Sequence, residues 1–160
     1  PNDWTLTGDW QCGVPMNVGP TAFVGEQCLA TQIGANCSDA QTWAGSTATS
    51  PAIDLTGVVS PKLELRMWVD TEGGEYDGVN LQISTDGGGT YANLDNVVPV
   101  PLLTIEGRPA WGGHQAALGW QLVEADLSSY AGQNVRLRFS FQCDASLNFP
   151  GVYIDHFLVY

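Results

Sequence analysis

The chain has 160 residues, 44% hydrophobic and only 14% charged, with 17 Asp and Glu against 5 Lys and Arg for a formal charge of −12. That length fits one domain with one core, and that charge excludes nucleic-acid binding by phosphate neutralisation and adsorption to an anionic membrane. Nineteen glycines and nine prolines, set between short apolar runs, favour strands and turns over helices.

The first segment is Gly-rich, with short strands predicted over residues 4–7, 10–12 and 27–31. A further strand over 51–55 ends at a turn at Thr56-Gly57. The clearest strand is Lys62–Asp70. There Leu63, Leu65, Met67 and Val69 alternate with Lys62, Glu64, Arg66 and Trp68, and period two puts the first set inside. Residues 79–84 repeat the pattern before the turn at Asp86-Gly87-Gly88-Gly89. Residues 126–130 allow one short helical turn. Val135, Leu137, Phe139 and Phe141 then alternate with Arg136, Arg138, Ser140 and Gln142. The final run, 152–160, is apolar on both faces and reads as a central strand. Helical periodicity is absent, and strands spaced by turns predict an all-β, two-sheet antiparallel sandwich with jelly-roll topology.

No run reaches the ~20 apolar residues of a spanning helix, so membrane insertion is not expected. The start at Pro1 and the end in an apolar strand at Tyr160 read as a single module, 1–160, from a larger secreted protein. Cys12, Cys28, Cys37 and Cys143 contain no CxxC, and with only two histidines zinc is poorly supported. Two disulfides of an exported protein are expected instead. Three pairings are possible, with Cys12–Cys28 and Cys37–Cys143 preferred; four buried thiols are the alternative. Asn36-Cys37-Ser38 matches a glycosylation sequon.

Asp155 is the most informative carboxylate. By alternation it shares a face with Tyr153, Phe157 and Val159, where an unpaired charge costs several kcal/mol. The chain holds few basic partners, so a bound metal is the economical answer. Glu72, Glu75, Asp70 and Asp77 crowd one Gly-rich loop, a hard-oxygen set that suits Ca²⁺, which takes ~6–8 oxygens; a solvated acidic loop is the plainer alternative. Asp144, just after the 135–143 strand, is placed to approach Asp155. Asp54, Asp86 and Asp126 read as turn or cap residues.

Taken in order, several segments resemble one family. They are Gly8-Asp9-Trp10, Ser50-Pro51-Ala52-Ile53-Asp54-Leu55-Thr56-Gly57, Asp70-Thr71-Glu72 with Tyr76-Asp77-Gly78, and Ile83-Ser84-Thr85-Asp86-Gly87-Gly88. Asp126-Leu127-Ser128-Ser129-Tyr130, Val135-Arg136-Leu137-Arg138-Phe139 and Pro150-Gly151-Val152-Tyr153-Ile154-Asp155 complete the set. The chain resembles the MAM-like, choice-of-anchor J type jelly-roll domains of bacterial secreted and surface proteins. These are related to accessory domains of immune-inhibitor-A-type metallopeptidases and, more distantly, to cleaved-adhesin domains. The resemblance implies extracellular placement, structural Ca²⁺ with Glu72, Asp77, Asp144 and Asp155 as ligands, and adhesion or accessory roles. One departure is His156, where the family commonly carries a second acid.

No catalytic residue is assigned, because HExxH, GxSxG, Walker and dinucleotide motifs are all missing. The expected function is a non-catalytic, calcium-stabilised accessory or adhesion module whose partners are a surface protein or glycan and the other domains of its parent. A carbohydrate-binding module is the second reading: outward Trp68 and loop-borne Trp111 would stack on sugar rings, unless both pack beneath neighbouring loops. A small hydrolase is the third.

Overall fold

The computed structural model describes residues 3–160; the start at Pro1 lies outside the described residues. Its strands, in chain order, are β1 (Thr5–Leu6), β2 (Trp10–Gly13), β3 (Cys28–Thr31), β4 (Thr47–Thr49), β5 (Ile53–Asp54), β6 (Lys62–Asp70) and β7 (Gly78–Ser84). They continue with β8 (Ala92–Asn93), β9 (Val97–Val98), β10 (Leu103–Ile105), β11 (Arg108–Ala110), β12 (Gln121–Asp126), β13 (Asn134–Gln142) and β14 (Gly151–Val159). One antiparallel sheet runs β1-β4-β13-β7-β8, with β5 also on β13, and the other runs β2-β3-β14-β6-β12-β9. The β10–β11 hairpin stands apart. Successive long strands fall in opposite sheets, so the chain crosses the sandwich from β12 to β13 to β14, as a jelly roll requires.

Alternation builds the core. Leu63, Leu65, Met67 and Val69 of β6 meet Val135, Leu137, Phe139 and Phe141 of β13 between the sheets. The final strand is central, flanked by β3 and β6. Its period breaks once. Asp155 pairs Arg66 but Leu158 pairs Glu64, a bulge at His156, whose φ is +50°. Beyond it the faces exchange, so Phe157 and Val159 pack on the inter-sheet core rather than beside Asp155.

A second apolar layer lies on the far side of the β2-to-β9 sheet, where Cys28, Ala30, Ile33, Trp68 and Tyr153 cluster with Trp120. The loop of residues 14–27 is bonded over this face. Tyr153 Oη donates to Val18 O (3.1 Å) and Trp120 Nε1 to Thr21 O (3.1 Å).

Candidate metal centre

Two registers build the site. Gln142 of β13 pairs Gly78 of β7, so the next residues outward, Cys143-Asp144 and Asp77, are neighbours. Gly151 of β14 pairs Asp70 of β6, so the 71–77 and 143–150 loops leave the sandwich at one end. Thr71 ties the first loop down: its Oγ1 donates toward Asp77 O (3.3 Å) and accepts from Gly113 N (2.8 Å).

One carboxylate oxygen from each of Glu72, Asp77 and Asp144 falls within 4.8 Å of the others. Asp77 is fully buried. Its Oδ1 accepts the Asp144 N–H at 2.8 Å, while Oδ2 faces Cys143 Sγ at 3.6 Å. Burial pushes the Asp77 carboxyl up to about 6, against the backbone N–H groups of Asp144 and Glu72 that favour its charged form. Glu72 Oε2 is buried with no hydrogen-bond partner among the described residues. A cluster of hard oxygens, one orphaned and one wholly out of water, fits a divalent cation of the calcium type.

Asp155 stands apart from this group. It lies four residues inside β14 from Gly151, ~13 Å along the strand at ~3.3 Å per residue. β13 and β14 also belong to different sheets, so Asp144 does not approach it. Its charge is met by backbone donors: Oδ2 accepts from Phe23 N (2.7 Å) and Val24 N (3.0 Å), and Oδ1 from His156 N (2.6 Å). A carboxylate so bonded is stable without a metal, and its work is to hold the 14–27 loop. Phe23 is further gripped by the Arg66 guanidinium, 4.7 Å from its ring centre.

The cysteines divide. Cys37 and Cys143 form a disulfide, with Cα atoms 6.8 Å apart. Cys12 and Cys28 are free thiols, which corrects the preferred second bridge. The register is the reason: Cys12 pairs Leu29 and Gly13 pairs Cys28. Adjacent positions point to opposite faces, so Cys12 packs on the inter-sheet core and Cys28 on the far layer.

Both candidate ligand-binding tryptophans are buried. Trp68 does leave the outer face of β6 but is 7% exposed, edge-on to Tyr153 at 5.4 Å. Trp111 is 6% exposed in the main core, its Nε1 donating to Pro99 O (3.0 Å). Neither can stack on a sugar as placed. Asp54, Asp86 and Asp126 take turn roles, accepting from the N–H of Thr56, Thr90 and Ser128 respectively. His114 contacts Asp70 (3.4 Å) and the Phe149 ring. The sequence reading overlooked the disulfide's position against Asp77, although the adjacency of Cys143 and Asp144 signalled it.

The fold and this loop-end cluster define a β-sandwich module. No family model matches the chain. It is 28% identical over 158 residues to Bacillopeptidase F of Bacillus subtilis (strain 168), a match that takes in 97% of this chain and 10% of that protein. The chain therefore spans about a tenth of the length of the curated relative it matches. The K1 cleaved adhesin domain of Lys-gingipain from Porphyromonas gingivalis W83 shares the fold, with a TM-score of 0.57 at 17% identity over 100% of this chain and 91% of that one. The CBM22-1 xylan-binding domain of Paenibacillus barcinonensis Xyn10C gives a TM-score of 0.49 at 15% identity over 98% and 83%.

Proposed function

We propose that the chain is a non-catalytic accessory module of an extracellular protein, with one end locked by Ca²⁺ at Glu72, Asp77 and Asp144. The observation that carries the cation is the orphaned Glu72 Oε2 beside the wholly buried Asp77. Both are costly alone and both are relieved by one divalent charge. The Cys37–Cys143 bridge suits an oxidising compartment. Alignment with a tenth of a far longer protein supports a module among other domains, and the MAM-like resemblance supports an adhesion or docking role.

Thermal unfolding under non-reducing conditions, with Ca²⁺ or with EGTA, tests this. A ligand bound only by the folded state adds ~2.7 kcal/mol at a hundredfold excess over Kd. Melting should fall with EGTA, recover with Ca²⁺, and lose this response in Asp77→Asn. A melting temperature indifferent to both, with no metal found by elemental analysis, would remove the cation from the reading.

A further inference from the structure

The Cys37–Cys143 bridge lies between two irregular stretches of chain, residues 32–40 and 144–150, which belong to no strand. Hydrogen bonds tie the same two stretches together. Cys37 N donates to Phe149 O (2.9 Å), Ala40 N to Asp144 O (3.0 Å) and Cys143 N to Gln41 O (3.2 Å). Asn148 Nδ2 donates to Asp39 Oδ1 (2.6 Å), and Asn36 Nδ2 to Asn148 O (2.7 Å). The middle of the second stretch, residues 145–147, is exposed. Exposed irregular segments open at a lower free energy than the strands they connect, so this one can lift while the sandwich stays folded.

Both halves of the bridge are out of water: Cys37 is 2% exposed and Cys143 0%. Thiol–disulfide exchange needs a thiolate to reach one of the sulfurs, so reduction has to wait for the segment to open. Asp144 couples that opening to the carboxylate cluster. It follows Cys143 in the chain, its O accepts the Ala40 N–H, its N–H bonds Asp77 Oδ1 at 2.8 Å, and its carboxylate meets those of Glu72 and Asp77. An ion held by the three therefore pins the segment that shields the sulfurs. A ligand bound only by the closed form lowers the open population in proportion to its excess over Kd, ~100-fold at a hundredfold excess. One effect runs the other way. Asp77 Oδ2 lies 3.6 Å from Cys143 Sγ, and a cation that offsets its charge favours a leaving thiolate. Access decides, because a thiolate that cannot touch the sulfur gains nothing from that charge.

We propose that Ca²⁺ at Glu72, Asp77 and Asp144 gates the Cys37–Cys143 bridge, so that a dithiol reduces it readily only once the ion has left. The gate rests on the reading of that cluster as a cation site and gives the site a redox consequence. In the gated step one thiolate of the dithiol attacks a bridge sulfur and expels the other as thiolate. The second thiolate then closes the dithiol into a ring disulfide. Two electrons pass to Cys37 and Cys143, and the dithiol's two protons reach them through solvent. The test is the rate at which dithiothreitol frees Cys37 and Cys143 in the native protein, in Ca²⁺ and in EGTA, read by alkylation and mass spectrometry. Reduction should be at least tenfold slower in Ca²⁺. Asp77→Asn, or Glu72→Gln if the first does not fold, should reduce at the EGTA rate in both buffers, while Asp155→Asn keeps the protection. Trp68→Ala, which weakens the far layer, should leave both rates unchanged, because opening is local. Equal rates, or faster reduction in Ca²⁺, in a protein whose melting temperature does respond to Ca²⁺ would overturn the gate and leave the cation site standing. Reduction that quickens in Trp68→Ala in step with its lost stability would also overturn it, by showing that the whole sandwich must unfold. A melting temperature indifferent to Ca²⁺, with no metal found by elemental analysis, would remove site and gate together.

Discussion

Trp68 leaves β6 on the face away from the inter-sheet core, beside Glu64 and Arg66, and it is nonetheless packed against Tyr153 and Trp120. Its removal should therefore act on stability. Trp68→Ala is expected to cost ~3–5 kcal/mol, the range for large aromatic truncations in a core, read as a lower urea midpoint at unchanged slope. Beside it, burial pushes the Cys28 thiol from 9.0 up to about 12, with Asp155 and Cys12 adding to the effect. Burial likewise pushes the Tyr153 hydroxyl from 10.0 up to about 12, with Cys28 adding. Both groups are neutral when protonated, and the folded state keeps protons that the unfolded chain releases. Their stabilisation is full below about pH 9 and is lost as pH rises toward about 12. Urea midpoints at pH 8, 9.5 and 11 should fall in that order, and Cys28→Ala should remove the earliest part of the decline. In the folded state at pH 8, Cys28 should also resist a thiol reagent that modifies it after unfolding.

Among the elements, the 14–27 loop depends on one charge placed by β14. Asp155 gathers three backbone N–H groups, those of Phe23, Val24 and His156. Hydrogen bonds to a charged group contribute ~1.5–3 kcal/mol each. Asp155→Asn should therefore loosen the loop, seen as faster amide exchange at Phe23 and Val24 and easier proteolysis within 14–27. It should leave the Ca²⁺ response of the melting temperature intact, whereas Asp77→Asn should abolish that response. The bulge that frees Asp155 for this task places Phe157 on the core at the same time. One extra residue at His156 thus serves both faces of the strand. Gly151, at the start of β14 with φ +91°, permits a close approach to Thr31 Oγ1 that any Cβ would block, and Thr31 Oγ1 in turn accepts the Val152 N–H at 2.9 Å.

For the whole molecule, the Cys37–Cys143 bridge spans 106 residues and abuts the carboxylate cluster. A loop of about that length contributes ~4.7 kcal/mol on the chain-entropy account. Reduction, or the paired Cys37→Ser and Cys143→Ser change, should lower the unfolding free energy by about that much. Because Asp144 follows Cys143 directly and bonds Asp77 through its N–H, the same change should also shrink the Ca²⁺-dependent shift in melting temperature. Chemical denaturation with and without reductant, each in Ca²⁺ and in EGTA, separates the two effects.

Period-two alternation is a local property, and from it the sequence determined the all-β class. It gave the long strands within a residue or two: Lys62–Asp70 as predicted, and β7, β13 and β14 at nearly their true ends. The central place of the last strand was legible because it is apolar on both faces. The short strands β8 to β11 were not, since they carry little alternation and are held by hairpin pairing and by a bridge from Val79 to Trp111. Side-chain direction was also legible, and Trp68 does point out from its strand. That Trp68 packs beneath a loop was one of the two readings open from the sequence; which loop covers it was not legible, because that loop is distant in sequence. Glu72, Asp77 and Asp144 meet because two strand registers end at the same edge of the sandwich. Cys12 and Cys28 miss each other by a single register step. Register depends on which strands pair and where, and only the closed sandwich, burying both sheets at once, settled that.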